Sequence, residues 1–222
     1  MRPLRPAVLH RAGALVLLPF VLLHLGNHAV AVGSVDDHLA VMERLRTLYR
    51  QPLVEALLLA AVALQLGTGL RQAAVALRQR AGGRRQLQAA SGLVLAGFLA
   101  IHVLAVLVAR HGLGLDTNFH FAAAGMHVPP LAWFFVPYYG LAVLALFVHV
   151  GCAAAQRLGR GDERATRRVV AAAGVAGSLL AVAIVAAMLG LVRPYAPPAE
   201  YTAPIDEALT GLGGPLRGRL TP

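Results

Sequence analysis

Residues 11–33, RAGALVLLPFVLLHLGNHAVAVG, hold no charged residue after Arg11 and carry two histidines four apart, His24 and His28. A helix needs about 20 mostly apolar residues to cross the roughly 30 Å hydrocarbon core of a bilayer. This stretch is long enough, and it predicts a membrane span. An imidazole in hydrocarbon costs free energy unless something satisfies it, so an intramembrane histidine marks a functional site by default. The rest of the chain has to supply the partner.

Composition agrees with a membrane setting. The 222 residues are 58% hydrophobic and only 14% charged, against about 25% charged in an ordinary soluble domain. The net charge is +10 and every basic side chain is arginine. These arginines gather between apolar runs, the pattern of topogenic loops rather than of a nucleic-acid surface. The single cysteine, Cys152, lies in an apolar run, which excludes a disulfide framework and a thiolate metal site. No cleavable leader is expected, because no small-residue cleavage site opens onto a soluble domain.

Five spans are expected, near 11–33, 52–77, 88–110, 133–157 and 168–192, giving an all-α, polytopic five-helix bundle over 1–192. Pro52 suits a helix start, where its missing N–H would be unpaired anyway. The connections after spans two and four are rich in arginine (Arg78, Arg80, Arg84 and Arg85; Arg157, Arg160, Arg164, Arg167 and Arg168), whereas the one after span three has only Arg110. The positive-inside rule then places the N-terminus in the cytoplasm and the C-terminus outside. Loop 34–51 goes against the rule: it is assigned outside yet contains Arg44, Arg46 and Arg50. The tail 193–222 is rich in Pro and Gly and is expected to be extramembrane and extended, with at most a helical turn near 205–212.

Four of the nine histidines fall well inside spans: His24, His28, His102 and His149. His10, His38, His111, His120 and His127 fall at expected helix ends or in loops, where an interfacial role suffices. Spans one and three run in the same direction. His24 lies about 13 Å, and His102 about 12 Å, from the outer ends of their helices at 1.5 Å per residue. Two imidazoles at one depth on two helices can ligate a haem iron from both sides, with Gly26, Gly92 and Gly97 leaving room for the porphyrin. The competing arrangement is a set of histidines hydrogen-bonded within a packed bundle. Zinc or copper is disfavoured, because no carboxylate or thiol shares that depth.

Several stretches resemble the single-chain, five-helix cytochrome b membrane anchors of succinate dehydrogenase and fumarate reductase (type B). They are LHRAGALVLLPFVLLHL (9–25), RTLYRQPLVEALLL (46–59), SGLVLAGFLAIHVLAVL (91–107) and YGLAVLALFVHVGCAAAQRL (139–158). The resemblance implies haem ligands at His24, His102 and His149. It also implies a fourth ligand on helix two, where this chain has Gln65, and a neutral amide is a poor iron ligand. One bis-His haem b in the outer half is therefore expected, with an inner site that is empty, singly ligated or repacked. The resemblance further implies a quinone as substrate, flavoprotein and iron–sulfur partner subunits, and a bacterial-type cytoplasmic membrane. With one cysteine and no dinucleotide fingerprint, the chain itself cannot hold an iron–sulfur cluster or bind FAD.

Glu55, about one turn inside the outer end of span two, is the other expensive residue. It either pairs with Arg50 or Arg46 at the interface or accepts protons from a quinol, with His28 as a relay. Arg71 is expected to snorkel to the inner interface, and Trp133, Phe134, Phe135, Tyr138 and Tyr139 to form an aromatic belt. The alternative to the cytochrome is a haem-free membrane protein whose intramembrane His/Glu network serves transport, scaffolding or an accessory role.

Overall fold

The computed structural model describes residues 6–80, 82–158 and 162–217. The chain is all-helical over these residues, in eight α-helices: α1 (Pro6–Val30), α2 (Val35–Tyr49), α3 (Pro52–Arg78), α4 (Gly83–Leu107), α5 (Phe119–Ala124), α6 (Ala132–Leu158), α7 (Glu163–Met188) and α8 (Ala199–Arg217). A wide π turn, Val108–Gly112, extends α4. Helices α1, α3, α4 with its π turn, α6 and α7 are each long and apolar enough to cross a membrane. The chain is a multi-pass membrane protein of five spans.

Local chemistry sets the helix ends. Pro52 occupies the first turn of α3, as its missing N–H allows. Asp162 caps α7 by accepting from the backbone N–H groups of Arg164 and Ala165, which moves the start of that span five residues ahead of the expected 168. Gly190, at φ 72°, ends the span early, and a Cβ there would lie 2.8 Å from the Tyr195 carbonyl. Only glycine fits a left-handed turn that tight. At the other end of the chain α1 begins at Pro6, so His10 lies inside the first span rather than before it.

The spans close a ring: α1 packs on α3, α3 on α4, α4 on α6, α6 on α7, and α7 touches α1. No Cα of α1 comes within 8 Å of one in α4 or α6, so those helices face each other across the interior. Glycines bring α6 and α7 together: a Cβ on Gly177 would sit 2.6 Å from Phe147 Cβ, and one on Gly151 2.5 Å from Ala173 Cβ. Small residues at such crossings let membrane helices approach closely. Leu22, Leu57, Leu104, Leu179 and Val182 point outward and are exposed, as lipid-facing side chains should be. Trp133, 87% exposed at the start of α6, suits an interfacial anchor.

At one end of the ring Ala31, Phe119, Met126, Val143, Ile184 and Met188 form a buried cluster. Over it sits a cap built from α2, α5 and the chain after α7. The loop expected at 34–51 is thus the helix α2. Ser34 caps it by accepting from the Asp37 N–H at 3.1 Å, and Asp36 and Asp37 complement its dipole. His38, Met42 and Arg46, spaced by four, form its buried face. The tail also departs from expectation: residues 199–217 form α8, and Tyr195 and Tyr201 fold back onto the cap.

Candidate functional site: two histidine pairs across the bundle

His24 on α1 and His102 on α4 face each other with ring centres 6.2 Å apart. Each ring is backed by the aromatic residue one turn earlier on its own helix: Phe20 stacks on His24 at 5.4 Å, and Phe98 on His102 at 5.0 Å. Tyr139 of α6 meets His102 edge-on at 6.5 Å. Neither imidazole has a hydrogen bond within the described residues.

The spacing suits a shared metal. Imidazole–metal bonds are about 2 Å long, so two trans imidazoles hold their ring centres about 6 Å apart. The expected pairing by depth is realised, and the residues fit a bis-His haem iron. Of the glycines expected to make room, Gly26 and Gly97 do not contribute: both are exposed, with nothing within 4 Å of a would-be Cβ. They lie on the outer faces of their helices. Gly92 is placed instead beside His149.

His149 does not stand alone. Its ring centre is 6.3 Å from that of His10, nearly perpendicular to it. His10, read from sequence as a bland residue at a helix end, is therefore a second ring facing the interior. Gln65, on α3, donates instead to the His10 carbonyl at 2.9 Å. The signal for His10 was available: it lies fourteen residues before His24, close to four helical turns, and so shares its face.

From His24 a row of imidazoles leads to the capped end. His28 is 4.8 Å from His24, and His38 is 5.1 Å from His28. His38 is 2% exposed and accepts a hydrogen bond from the Asn27 amide at 3.2 Å. Nδ1 of His28 and Nδ1 of His38 are buried without partners among the described residues. Burial, then the neighbouring His24, Arg46 and His120, push the His38 imidazole down to about 4, so it is neutral at physiological pH.

Glu55 is ion-paired with Arg110 of the π turn, not with Arg46 or Arg50. Those two arginines are taken by Asp116. Arg46, 7% exposed, grips it at 2.7 and 3.2 Å, and Arg50 reaches it at 3.6 Å. Burial alone would raise Asp116, but the Arg46 hydrogen bond and charge, with Asn118 and Arg50, hold it below the usual carboxylate range. Two of the three arginines that broke the charge rule in loop 34–51, Arg46 and Arg50, thus neutralise a carboxylate within the cap. Asn118 also donates to the Tyr201 hydroxyl at 2.8 Å, and His120 is hydrogen-bonded to the Tyr195 hydroxyl at the same distance.

Among the described residues no three His, Cys, Asp or Glu side chains converge as in a protein-only metal cage. The pairs offer two nitrogens each, which is what a macrocycle already supplying equatorial ligands requires. Comparison with protein-family models, with curated proteins and with solved structures finds no match.

Proposed function

We propose that this chain is a haem b membrane subunit that passes electrons between a quinone pool and partner flavoprotein and iron–sulfur subunits, in the manner of the succinate dehydrogenase and fumarate reductase anchors it resembles. The observation that carries the reading is the facing of His24 and His102 at 6.2 Å across helices whose backbones stay apart. When bound, haem b supplies reversible one-electron chemistry.

The chain's own residues have separate tasks. His24 and His102 would hold the iron, and Phe20 and Phe98 fix their ring planes and keep the site apolar. His28 and His38 form the proton-carrying row between that pair and the cap, each ring within about 5 Å of the next; neutral imidazoles can take a proton on one nitrogen and release it from the other. Glu55 sits at the capped end of α3 with Arg110 as its counter-ion. There a quinol could approach from the lipid and yield its proton to the carboxylate. The arginine-rich ends of α3, α4, α6 and α7 would lie in the cytoplasm of a bacterial-type cell.

The test is the dithionite-reduced minus air-oxidised absorption spectrum of the protein purified in mild detergent from haem-replete cells. A sharp b-type α-band, diminished alike in His24→Ala and His102→Ala, is expected. A colourless parent would overturn the cytochrome reading and leave the His28–His38–Asn27 row as a polar network in a haem-free membrane protein.

A further inference from the structure

His10 and His149 share two features that the first pair lacks, an anchored Nδ1 and a glycine facing each ring. Thr68 gives its one hydroxyl proton to the Leu64 carbonyl, so its oxygen, 2.9 Å from His10 Nδ1, accepts from that nitrogen. The Gln88 carbonyl, 3.0 Å from His149 Nδ1, likewise accepts. Both rings are thereby fixed with the proton on Nδ1 and the lone pair on Nε2. That is how metal-bound histidines are oriented, with the remote nitrogen anchored to a carbonyl or hydroxyl and the other turned to the metal. Neither Nε2 has a hydrogen-bond partner among the described residues.

Space has been cleared for the rings themselves. A Cβ on Gly69 would come within 3.2 Å of His10 Cε1, and one on Gly92 within 3.1 Å of His149 Cε1. Two helices thus give up a side chain where these rings lie, and α1 and α6 stay more than 8 Å apart at Cα.

We infer that His10 and His149 are the axial ligands of a second haem, toward the arginine-rich end of the bundle. The inference rests on the haem reading of the first pair. It makes α1 the shared helix of two sites: His10 and His24, fourteen residues apart, lie about 21 Å apart along the axis and within about 40° of one face. The missing ligand at Gln65 is then no deficiency, because the ligand comes from α1 instead of α3.

Haem-to-protein ratio in purified protein decides it. The parent should hold two haems per chain, His10→Ala and His149→Ala one each with the same residual spectrum, and the His10→Ala/His102→Ala double variant none. The haem retained in each single variant shows that the chain has folded. In His10→Gly, free imidazole added to the purified protein and reloaded with haemin should restore the lost low-spin component. Thr68→Val, which removes only the anchor of His10, should shift the midpoint potential of one haem and leave the other unmoved. A parent ratio of one, with that haem indifferent to His10 and His149 but lost on changing His24 or His102, would overturn this inference and leave the proposed function standing. A colourless parent would overturn both.

Discussion

At the scale of single residues, His38 shows how the fold treats an imidazole that has no metal. It lies beneath Phe119, whose ring is 5.0 Å away, and burial holds it at about 4 against 6.5 in an exposed chain. Between those values the unfolded chain binds a proton that the folded one refuses, so stability falls as pH drops through this window and is unaffected above it. At pH 5 this difference costs about 2 kcal/mol. Thermal unfolding in detergent should therefore shift down between pH 7.5 and pH 5, and His38→Gln should flatten part of that slope; an unchanged slope would contradict the assignment. Gly92 gives a second residue-scale outcome. Gly92→Leu must displace the His149 ring, whose Cε1 is 3.1 Å from a would-be Cβ, and should cost about 1–3 kcal/mol by overpacking. The His24–His102 pair should be untouched, which chemical denaturation combined with the α-band can separate. Residue roles were unevenly legible. His24 and His102 could be matched because helical rise converts sequence position into depth. His10 was passed over because its helix begins earlier than hydrophobicity alone suggests, although its spacing of fourteen from His24 already placed it on the same face.

Among the elements, the cap is held by a polar anchor. Arg46 sits on the buried face of α2 and binds Asp116, which is 43% exposed, through both guanidinium nitrogens. Removing one partner strands the other, at several kcal/mol when burial is complete; with Asp116 half in solvent, Arg46→Met should cost about 2 kcal/mol. Asp116→Asn in the same chain should recover part of the loss, and a double-mutant cycle should give a coupling of about 1 kcal/mol. Strict additivity would contradict the pairing. The spans were readable because a bilayer imposes a length and a composition. Helix α2 was hidden by its charge, although Ser34, Asp37 and the four-residue spacing of His38, Met42 and Arg46 are helix signals. Helix α8 was masked by the Pro and Gly content around it, and the docking of Tyr195 and Tyr201 needs the reversal at Gly190, which only the assembled bundle explains.

For the whole molecule, five spans close a ring in which α1 stays more than 8 Å from α4 and α6 at Cα and presents His24 to His102 and His10 to His149. That arrangement follows from what hydrocarbon allows, because helices satisfy their own backbones. The ring also sorts chemistry by end, with most of the arginines at one and the cap with its tyrosines and histidines at the other. The central claim is that imidazoles from opposite helices grip one iron from both sides. Low-temperature electron paramagnetic resonance of the air-oxidised, purified protein tests it most directly. A low-spin ferric signal of bis-imidazole type, one component of which disappears in His102→Ala while the His10–His149 component persists, is the expected result. A parent with no ferric signal, or with a high-spin signal that His102→Ala leaves unchanged, would contradict it.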